Sequence, residues 1–294
     1  MTTGAAPAGP RPQATSAAAP RPLREWPLAQ AARVHTVFAD IDDTISSEGR
    51  ITSVAYEALE RLRDAGLRVV PVTGRPAGWC DHIARMWPVD AVVGENGAFW
   101  MWRDEAAGKL RTRHRLDEAT RAANAARLRE VAERVLREVP GCALASDQFC
   151  RLYDIAIDFR EDVPPLPAEA IERIVATMRA AGMHAKVSSI HVNGWFGDWD
   201  KLETVRLMMR ERFAIDVDGV VERARCVFVG DSPNDAPMFA FFPNAVGVAN
   251  VMDFAGRIDA MPAWITTSRA GAGFAELAQR LLEARMLFPT EVDR

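Results

Sequence analysis

The chain has 294 residues, with 36 lysines and arginines against 40 aspartates and glutamates, so its formal net charge is −4. This balance supplies no global basic field for attracting nucleic acid or an anionic membrane surface. Hydrophobic residues make up 49% of the sequence, and no apolar run reaches the roughly 18 residues that a membrane span needs. The composition is typical of a globular enzyme with one large or two medium domains.

The four cysteines show neither a C-x-x-C pair nor the spacing of a zinc site, which favours reduced thiols in a cytoplasmic protein. Residues 1–33 are predicted to be a disordered tail, because most of them are Ala, Pro, Gly, Thr and Ser. Prolines interrupt this segment, so it lacks the apolar centre of a signal peptide. Its arginines, with few acids, leave a transit peptide as a weaker alternative.

The first predicted strand ends in a cluster of acids. The β-branched and aromatic run from Thr36 to Ala39 is followed by Asp40, Asp42 and Asp43. Ligands bind at the carboxyl ends of strands in open α/β sheets. Asp40 and Asp42 are two positions apart, so a backbone that is still extended there would point both side chains the same way. Two carboxylates about 4 Å apart repel each other by roughly 4 kcal/mol at an effective dielectric constant of 20. A cation or a proton must offset that cost, unless the acids merely form a solvated turn.

A second predicted strand, from Leu67 to Val72, ends in Thr73-Gly74-Arg75 ahead of a helix from Ala77 to Trp87. Backbone N–H groups at such a strand-to-helix junction can bind an anion, although Thr-Gly is also common turn chemistry. A third strand, from Ala91 to Val93, precedes a turn containing Asn96, and an extended hairpin arm from Phe99 to Trp102 follows.

The pattern changes after residue 103. A long amphipathic helix from Leu116 to Val139 precedes a strand from Arg151 to Phe159, a helix from Ala168 to Ala181 and one strand-like run from His184 to Val192. This block does not continue the alternation of strands and helices before it. We therefore predict an inserted α+β domain over residues 104–190.

The alternation resumes at Lys201, which opens a helix reaching Phe213. A fourth strand, from Cys226 to Val229, runs into Gly230-Asp231-Ser232-Pro233-Asn234-Asp235. Further strands are predicted from Ala245 to Val248 and from Trp264 to Thr266, and Gly271 and Gly273 precede a closing helix from Phe274 to Leu287. Residues 34–103 and 191–288 are thus predicted to form one core domain, followed by a tail of residues 289–294.

Together, four motifs resemble those of the haloacid dehalogenase-like (HAD) phosphohydrolases. They are Asp40-x-Asp42-x-Thr44, Thr73-Gly74-Arg75, Lys201 at a helix start, and Gly230-Asp231-x-x-Asn234-Asp235. The position of the insertion and the Gly94-Glu95-Asn96-Gly97-Ala98 stretch are similar to subfamily IIB, the Cof-type and sucrose-phosphatase branch with a type C2 cap. Two departures stand out, since Asp43 replaces the glycine of many relatives and Leu202 follows Lys201 where Cof-like members usually have glycine.

The resemblance implies a doubly wound, Rossmann-like parallel sheet with an inserted α+β cap domain, and a Mg²⁺-dependent phosphatase. It also implies the roles of individual residues. Asp40 would be the nucleophile that becomes phosphorylated, Asp42 the general acid and base, and Lys201 the compensating cation. The metal ligands would be the Asp40 carboxylate, the Asp42 backbone carbonyl and Asp231, with Asp235 as a ligand or a supporting acceptor. Thr73, Gly74, Arg75 and Asn96 would bind the substrate, and Thr44 and Asn234 would support the loops. Arg151 and Asp198 are further candidates near the cap.

Several alternatives remain open at this stage. Taken singly, Lys201 could be a solvated lysine at a helix start, Asp235 a helix cap, and Asn96 a residue of a left-handed turn. At the level of function, a phosphomutase of the same superfamily and a non-catalytic, receiver-like binding module compete with a phosphatase. We expect a cytoplasmic monomer or homodimer acting on a small phosphorylated metabolite such as a sugar phosphate, without nucleic acid or membrane partners.

Overall fold

The computed structural model describes residues 19–289, which contain fifteen short strands and nine α-helices. The strands are β1 (Arg21–Pro22), β2 (Thr36–Ala39), β3 (Ser46–Ser47), β4 (Arg50–Ile51), β5 (Arg68–Pro71), β6 (Val92–Gly94), β7 (Phe99–Asp104), β8 (Lys109–His114), β9 (Ala143–Leu144), β10 (Asp154–Asp158), β11 (His184–Val187), β12 (His191–Trp195), β13 (Cys226–Gly230), β14 (Val246–Gly247) and β15 (Trp264–Ile265). The helices are α1 (Leu28–Ala31), α2 (Ser53–Asp64), α3 (Ala77–Met86), α4 (Glu118–Glu138), α5 (Ala168–Ala180), α6 (Lys201–Phe213), α7 (Val220–Ala224), α8 (Ala236–Phe241) and α9 (Ala270–Leu287).

A six-stranded parallel sheet in the order β1-β15-β14-β13-β2-β5 forms the centre of the molecule. Strand β2 lies between β13 and β5, with Ala39 opposite both Val229 and Pro71. The carboxyl ends of these three strands are therefore adjacent at one edge of the sheet. The prediction of an α/β fold with a parallel sheet is confirmed, and this edge brings the three strand-end motifs together.

Side chains alternate between the two faces of this sheet, as the twofold period of a strand requires. Val37 packs into a hydrophobic cluster with α2 and α9, whereas the next residue, Phe38, packs into a second cluster with α6 and α8. Strand β13 repeats the pattern with Val227 and Phe228. Because helices cover both faces, the strands are apolar throughout, which explains the continuous hydrophobic runs in the sequence.

A smaller antiparallel sheet, β6-β7-β8, continues from the edge of the main sheet through a parallel bridge between Val72 and Val93. The predicted hairpin arm from Phe99 to Trp102 is the first part of β7 and pairs with both of its neighbours. Since Asp104 is the last residue of β7 and β8 pairs with β7, the predicted insertion boundary at residue 104 falls inside this hairpin, not between two domains.

Helices α4 and α5 pack on the antiparallel sheet β11-β12-β10-β9 and share with it a hydrophobic cluster separate from those of the main sheet. We call residues 118–196 the α4–α5 unit. The run from His184 to Val192, predicted as one strand, is instead two strands, β11 and β12. A turn separates them, in which the Ser188 hydroxyl accepts hydrogen bonds from the N–H groups of Ile190 and His191. The second predicted boundary, residue 190, therefore lies just before a strand of the unit.

The N-terminal prediction needs a correction. Residues 1–18 lie outside the described part of the chain, but residues 19–33 are built into the core and are not a disordered tail. Strand β1 pairs with β15, and Trp26 is fully buried with its ring 6.1 Å from that of Trp264. Composition alone did not indicate an ordered segment, because only a few of its residues are apolar. Leu23 and Trp26 are among them, and they pack into the hydrophobic cluster formed by distant parts of the chain.

The closing helix also differs from prediction, because α9 begins at Ala270 and contains both Gly271 and Gly273. A Cβ at Gly271 would lie 2.6 Å from the Ile45 carbonyl oxygen, so glycine here permits close packing and does not mark a loop. Residues 290–294 of the predicted C-terminal tail lie outside the described range. Between residues 19 and 289, no helix combines the length and apolar character required to cross a membrane.

Candidate active site

Three of the predicted site residues meet at the carboxyl edge of the main sheet. Asp40 follows β2, Lys201 opens α6, and Asp235 lies in the loop after β13. The Lys201 ammonium donates to Asp40 Oδ1 at 2.6 Å and to Asp235 Oδ1 at 2.8 Å. All three side chains are buried. Lys201 is therefore a buried counter-ion, and the alternative of a solvated lysine is excluded.

Asp231 completes an acidic cluster with Asp40 and Asp235. Each carboxylate offers one oxygen, and these three oxygens lie within 4.8 Å of one another. Asp231 Oδ2 accepts a hydrogen bond from Asn250 at 3.2 Å, whereas its buried Oδ1 has no hydrogen-bond partner among the described residues. A buried acceptor of this kind costs free energy unless a cation or a proton satisfies it.

Asp235 organises the loop around this cluster. Its Oδ2 accepts the backbone N–H groups of Asp231 at 3.1 Å and of Ser232 at 3.4 Å. Gly230 is required beside it, because a Cβ there would clash with the Asp235 carboxylate. Asn234 accepts a hydrogen bond from the Ser232 hydroxyl at 2.8 Å, which fixes the turn. Both oxygens of Asp235 thus already accept hydrogen bonds, one from Lys201 and the other from the loop.

The electrostatics of the cluster favour a bound cation. Burial raises the pKa of Asp40 to about 8; Lys201 opposes this rise, and the charges of Asp235 and Asp42 add to it. Burial also raises the pKa of Asp231 well above its usual value, and Asp40 and Asp235 contribute. Burial lowers the pKa of Lys201, but the two neighbouring carboxylates outweigh it and raise this pKa overall. Within this cluster, the single positive charge of Lys201 thus faces three buried carboxyl groups.

The donor set fits Mg²⁺. Carboxylate oxygens are the ligands that this hard cation prefers, and it usually binds through only one or two protein carboxylates. The unpartnered Asp231 Oδ1 and the Asp40 carboxylate supply such oxygens. An ion bound there would offset the mutual repulsion that the raised pKa values of the acids reflect.

Asp42 is not part of this cluster, contrary to the expectation that Asp40 and Asp42 point the same way. The strand ends at Ala39, and the chain enters a turn in which Asp43 has a left-handed φ of 54°. The Asp42 carboxylate therefore contacts Arg75, whose Nε lies 2.9 Å and Nη2 2.8 Å from Asp42 Oδ1. Glycine adopts this left-handed conformation more readily than aspartate does.

The predicted substrate-binding residues Thr73, Gly74 and Asn96 cluster beside Asp42. The Thr73 hydroxyl accepts a hydrogen bond from the Arg75 N–H at 3.0 Å, which leaves its own proton available for a ligand. A Cβ at Gly74 would lie 3.1 Å from Asn96 Nδ2, so a larger residue there would require the Asn96 side chain to shift. Asn96 has a left-handed φ of 54°, and its buried Nδ2 lacks a partner among the described residues.

Arg75 is the exception among the predicted substrate-binding residues, because the protein itself already satisfies its guanidinium. Besides Asp42, it contacts Glu161 at 2.7 Å and Asp147 at 3.4 Å, and both belong to the α4–α5 unit. The guanidinium also stacks on the Trp79 ring at 4.3 Å. Arg75 therefore connects the carboxyl edge of the main sheet to the α4–α5 unit.

Two cavities adjoin Asp42. The smaller, of about 10 Å³, has room for roughly one water molecule and lies between the main sheet and the α4–α5 unit. It is lined by Asp40, Asp42, Gly74, Arg75, Ser188, Ile190, His191, Asn193 and Asn234. The larger, of about 430 Å³, lies on the other side of Asp42, against the largely apolar side chains of α3 and the β3–β4 hairpin.

Comparison with known proteins agrees with this geometry. The family model described as haloacid dehalogenase-like hydrolase matches residues 37–131. A curated phosphoglycolate phosphatase from Pyrobaculum neutrophilum is 28% identical over 257 residues, which cover 86% of this chain and 98% of the relative. The chain thus resembles haloacid dehalogenase-like hydrolases, over residues 37–131 in the family match and over most of its length in this relative.

Solved structures of such hydrolases share the fold over most of the chain. A putative HAD/Cof-like hydrolase from Plasmodium vivax superposes with a TM-score of 0.61 at 14% identity, covering 87% of this chain and 99% of that one. The sucrose-phosphatase from Synechocystis, solved with sucrose and phosphate, gives a TM-score of 0.57 at 13% identity, with coverages of 84% and 97%. These neighbours agree with the predicted resemblance to subfamily IIB.

The remaining predicted residues, Thr44, Arg151 and Asp198, lie in different environments. Thr44 is fully buried, and its hydroxyl has no partner among the described residues. Arg151 is buried and donates to the Gly74 carbonyl oxygen at 2.9 Å and to Asp154 at 3.1 Å, so it joins the α4–α5 unit to the second motif. Asp198 is exposed and is not among the residues that line either cavity.

The sequence analysis assigned no role to Glu95, whose carboxylate connects the start of α3 to the α4–α5 unit. Its buried carboxylate accepts the N–H of Ala77, at the start of α3, at 3.0 Å. It also accepts the N–H groups of Leu152 at 2.9 Å and Tyr153 at 2.6 Å, where the chain enters β10. Burial raises the pKa of Glu95 to about 8. An acid inside the otherwise apolar and glycine-rich stretch around residues 92–99 was the available signal.

Asn250 was also missed. Its Nδ2 donates to Asp231 and to the Asp43 carbonyl oxygen at 2.9 Å, and its Oδ1 accepts the Ala270 N–H at 2.9 Å. It follows β14, so a polar residue just beyond a buried strand could have identified it. Asn250 orients Asp231 and thereby supports the acidic cluster.

Proposed function

We propose that this protein is a Mg²⁺-dependent phosphatase that hydrolyses a phosphate monoester of a sugar or another small metabolite. The observation that carries the proposal is the Asp40 carboxylate, held 2.6 Å from the Lys201 ammonium beside the acids Asp231 and Asp235. A buried carboxylate with an adjacent cation and a metal-ligand set has the parts that phosphoryl transfer to a carboxylate requires. The relatives named as phosphatases support the same reaction class.

In the first proposed step, Asp40 attacks phosphorus and the bond from phosphorus to the ester oxygen breaks. Asp42 donates a proton to that oxygen, and the alcohol leaves. In the second step, Asp42 accepts a proton from water, the water oxygen attacks phosphorus, and the bond from phosphorus to Asp40 breaks. Lys201 lies where negative charge is concentrated, and Arg75 orients Asp42.

The metal would be bound by the Asp40 carboxylate, the Asp42 backbone carbonyl and Asp231. Asp235 would serve as the supporting acceptor, because Lys201 and the loop already satisfy its oxygens. When bound, the ion would supply positive charge next to the phosphoryl oxygens. The Thr73 hydroxyl, the backbone at Gly74 and the Asn96 amide would donate to the phosphate.

The α4–α5 unit would act as the cap. Its turn at Ser188–His191 and its strand β12 line the small cavity opposite Asp40 and Asp42. A cavity of about 10 Å³ cannot contain a phosphate monoester, so the unit must move away for substrate to enter. Glu95 and Arg151, which connect it to the main sheet, lie where such a motion would pivot.

The experiment is a screen of phosphorylated sugars, nucleotides and small acids with Mg²⁺, measuring both released phosphate and isomerised product. Phosphate release that EDTA abolishes would support the proposal. Formation of an isomer without phosphate release would favour the phosphomutase. A phosphorylated peptide containing Asp40, detected by mass spectrometry after rapid acid quench, would identify the nucleophile.

A further inference from the structure

Glu161 is held by two cationic or proton-donating side chains at the edge of the proposed active site. Its Oε1 lies 2.7 Å from Arg75 Nη2, and its Oε2 lies 2.9 Å from His191 Nε2. The Arg75 and His191 side chains are only 4% and 3% exposed, whereas the Glu161 side chain is 27% exposed. The Glu161 carboxylate is thus partly open to solvent, whereas the two side chains that it contacts, Arg75 and His191, are buried.

The turn that carries Glu161 is fixed in shape. The Asp158 carboxylate, which is buried, accepts the N–H groups of Arg160 at 2.8 Å, Glu161 at 2.7 Å and Asp162 at 2.8 Å. The Ser146 hydroxyl donates to Asp162 at 2.8 Å. The backbone is therefore held independently of the Glu161 side chain, which can leave Arg75 by changing its rotamers alone.

The position of Arg75 and His191 relates directly to the proposed reaction. Both line the small cavity together with Asp40 and Asp42. The Arg75 guanidinium that contacts Glu161 also contacts Asp42, the proposed acid for the ester oxygen. A leaving group with its ester oxygen at Asp42 can therefore place its next few atoms beside Arg75 and His191. Because Glu161 occupies the contacts with these two side chains, a group that binds there takes its place.

We propose that Arg75 and His191 form a carboxylate subsite for the leaving group, which Glu161 occupies when no substrate is bound. The expected substrate class is a small phosphate monoester whose leaving group carries a carboxylate within a few atoms of the ester oxygen, because Arg75 contacts both Asp42 and Glu161. This inference rests on the proposed function and makes its substrate more specific.

The charges of the subsite explain the selectivity. Arg75 is shared by Asp42, Asp147 and Glu161, so an incoming carboxylate exchanges one negative partner for another and leaves the balance unchanged. A neutral leaving group would displace the Glu161 carboxylate without replacing its charge. Sites built to pair a specific polar group discriminate strongly against analogues that lack it.

The test compares 2-phosphoglycolate with 2-hydroxyethyl phosphate, which differ in the carboxylate but not in the phosphate ester. With Mg²⁺, we expect kcat/KM of the unmodified protein to be at least tenfold higher for phosphoglycolate. The His191→Phe variant keeps a ring but removes the donor, and it should lose most of this ratio. Asp162→Asn, a change in the same turn, is the matched control and should keep it.

A binding measurement separates this inference from the proposed function. In calorimetry without metal, glycolate should bind at least threefold more tightly to Glu161→Gln than to the unmodified protein, because the internal competitor is weakened. Asp162→Asn should bind glycolate as the unmodified protein does.

The outcomes are distinct. If neither phosphoglycolate nor p-nitrophenyl phosphate nor any phosphate monoester of the screen is hydrolysed with Mg²⁺, the proposed function fails, and glycolate binding still decides the subsite. If p-nitrophenyl phosphate is hydrolysed but the preference for phosphoglycolate is absent, or is equal in His191→Phe, the subsite is overturned. Equal glycolate affinity in Glu161→Gln and the unmodified protein would overturn the role of Glu161.

Discussion

Lys201 Nζ lies 2.6 Å from Asp40 Oδ1, although 161 positions separate the two residues in the chain. The contact forms because β2 and the start of α6 meet at the same edge of the main sheet, with the α4–α5 unit inserted between them in sequence. The same ammonium group also donates a hydrogen bond to Asp235, which lies in the loop after β13. The proposed chemistry therefore depends on three separate segments.

The first prediction concerns the nucleophile. Asp40→Asn should lower kcat by at least about 10³-fold, because an amide cannot form the phosphorylated intermediate. The fold should persist, since the acidic cluster loses a like charge and Lys201 keeps Asp235. Phosphate release and circular dichroism provide the measurements, with Asp81→Asn on the exposed side of α3 as a control. Turnover of Asp40→Asn at the unmodified rate would contradict the assignment.

The second prediction concerns the metal. Mg²⁺ at about ten times its dissociation constant should raise the free energy of unfolding by about 1.4 kcal/mol, because only the folded protein gathers the acids. Asp231→Asn should remove most of this gain. Thermal melts with Mg²⁺ and with EDTA would measure it. Identical melting curves of the unmodified protein in both conditions would argue against a metal site.

The third prediction concerns the buried cation. Lys201→Met should lower the free energy of unfolding of the metal-free protein by about 3–5 kcal/mol, because Asp40 and Asp235 then remain buried without their partner. Lys109→Met, on an exposed position of β8, should change it by less than about 0.5 kcal/mol. Urea unfolding would compare the two variants, and a similar small effect in both would show that Lys201 contributes little.

The fourth prediction concerns pH. Burial opposes ionisation of Glu161, but hydrogen bonds from His191 and Arg75 outweigh it and lower its pKa from 4.5 to about 2. The unfolded chain therefore binds more protons in this window, so the stabilisation by Glu161 is complete above about pH 4.5 and declines toward pH 2. The stability difference between the unmodified protein and Glu161→Gln should shrink as pH falls from 7 to 3. A difference that is constant across urea unfolding curves at these pH values would contradict it.

The fifth prediction concerns the N-terminal segment. Trp26→Ala should destabilise the protein by about 3–5 kcal/mol, because it removes a fully buried indole that packs against Trp264. Gln30→Ala, on an exposed position of α1, should have an effect below about 0.5 kcal/mol. Denaturant titration would measure both. Equal stability of the two variants would mean that residues 19–33 contribute little to the core.

The sequence predicts those parts of the site that follow strand ends. Asp40, Thr73 and Asp231 could be found because buried strands are apolar runs and the residues after them lie at one edge of a parallel sheet. Glu161 and His191 could not be found in this way. Their partners are distant in sequence, and no local sequence pattern indicates which side chains they will contact in the folded protein.

The same distinction applies to the fold. Long amphipathic helices such as α4 were predicted within a few residues, because their period is local. The two strands β11 and β12 were merged, since the turn at Ser188 contains no glycine or proline. Strand β1 was missed because two residues paired with a distant strand carry no periodic signal.

The pairing of Arg21 with Trp264 has a consequence for how the protein is made. A ribosome must synthesise more than two hundred further residues before the partner strand of this early segment emerges. During that time the indole of Trp26 has no final packing site and is open to chaperones or to neighbouring nascent chains. One of the first parts of the described chain to be translated thus cannot dock until one of the last has been made.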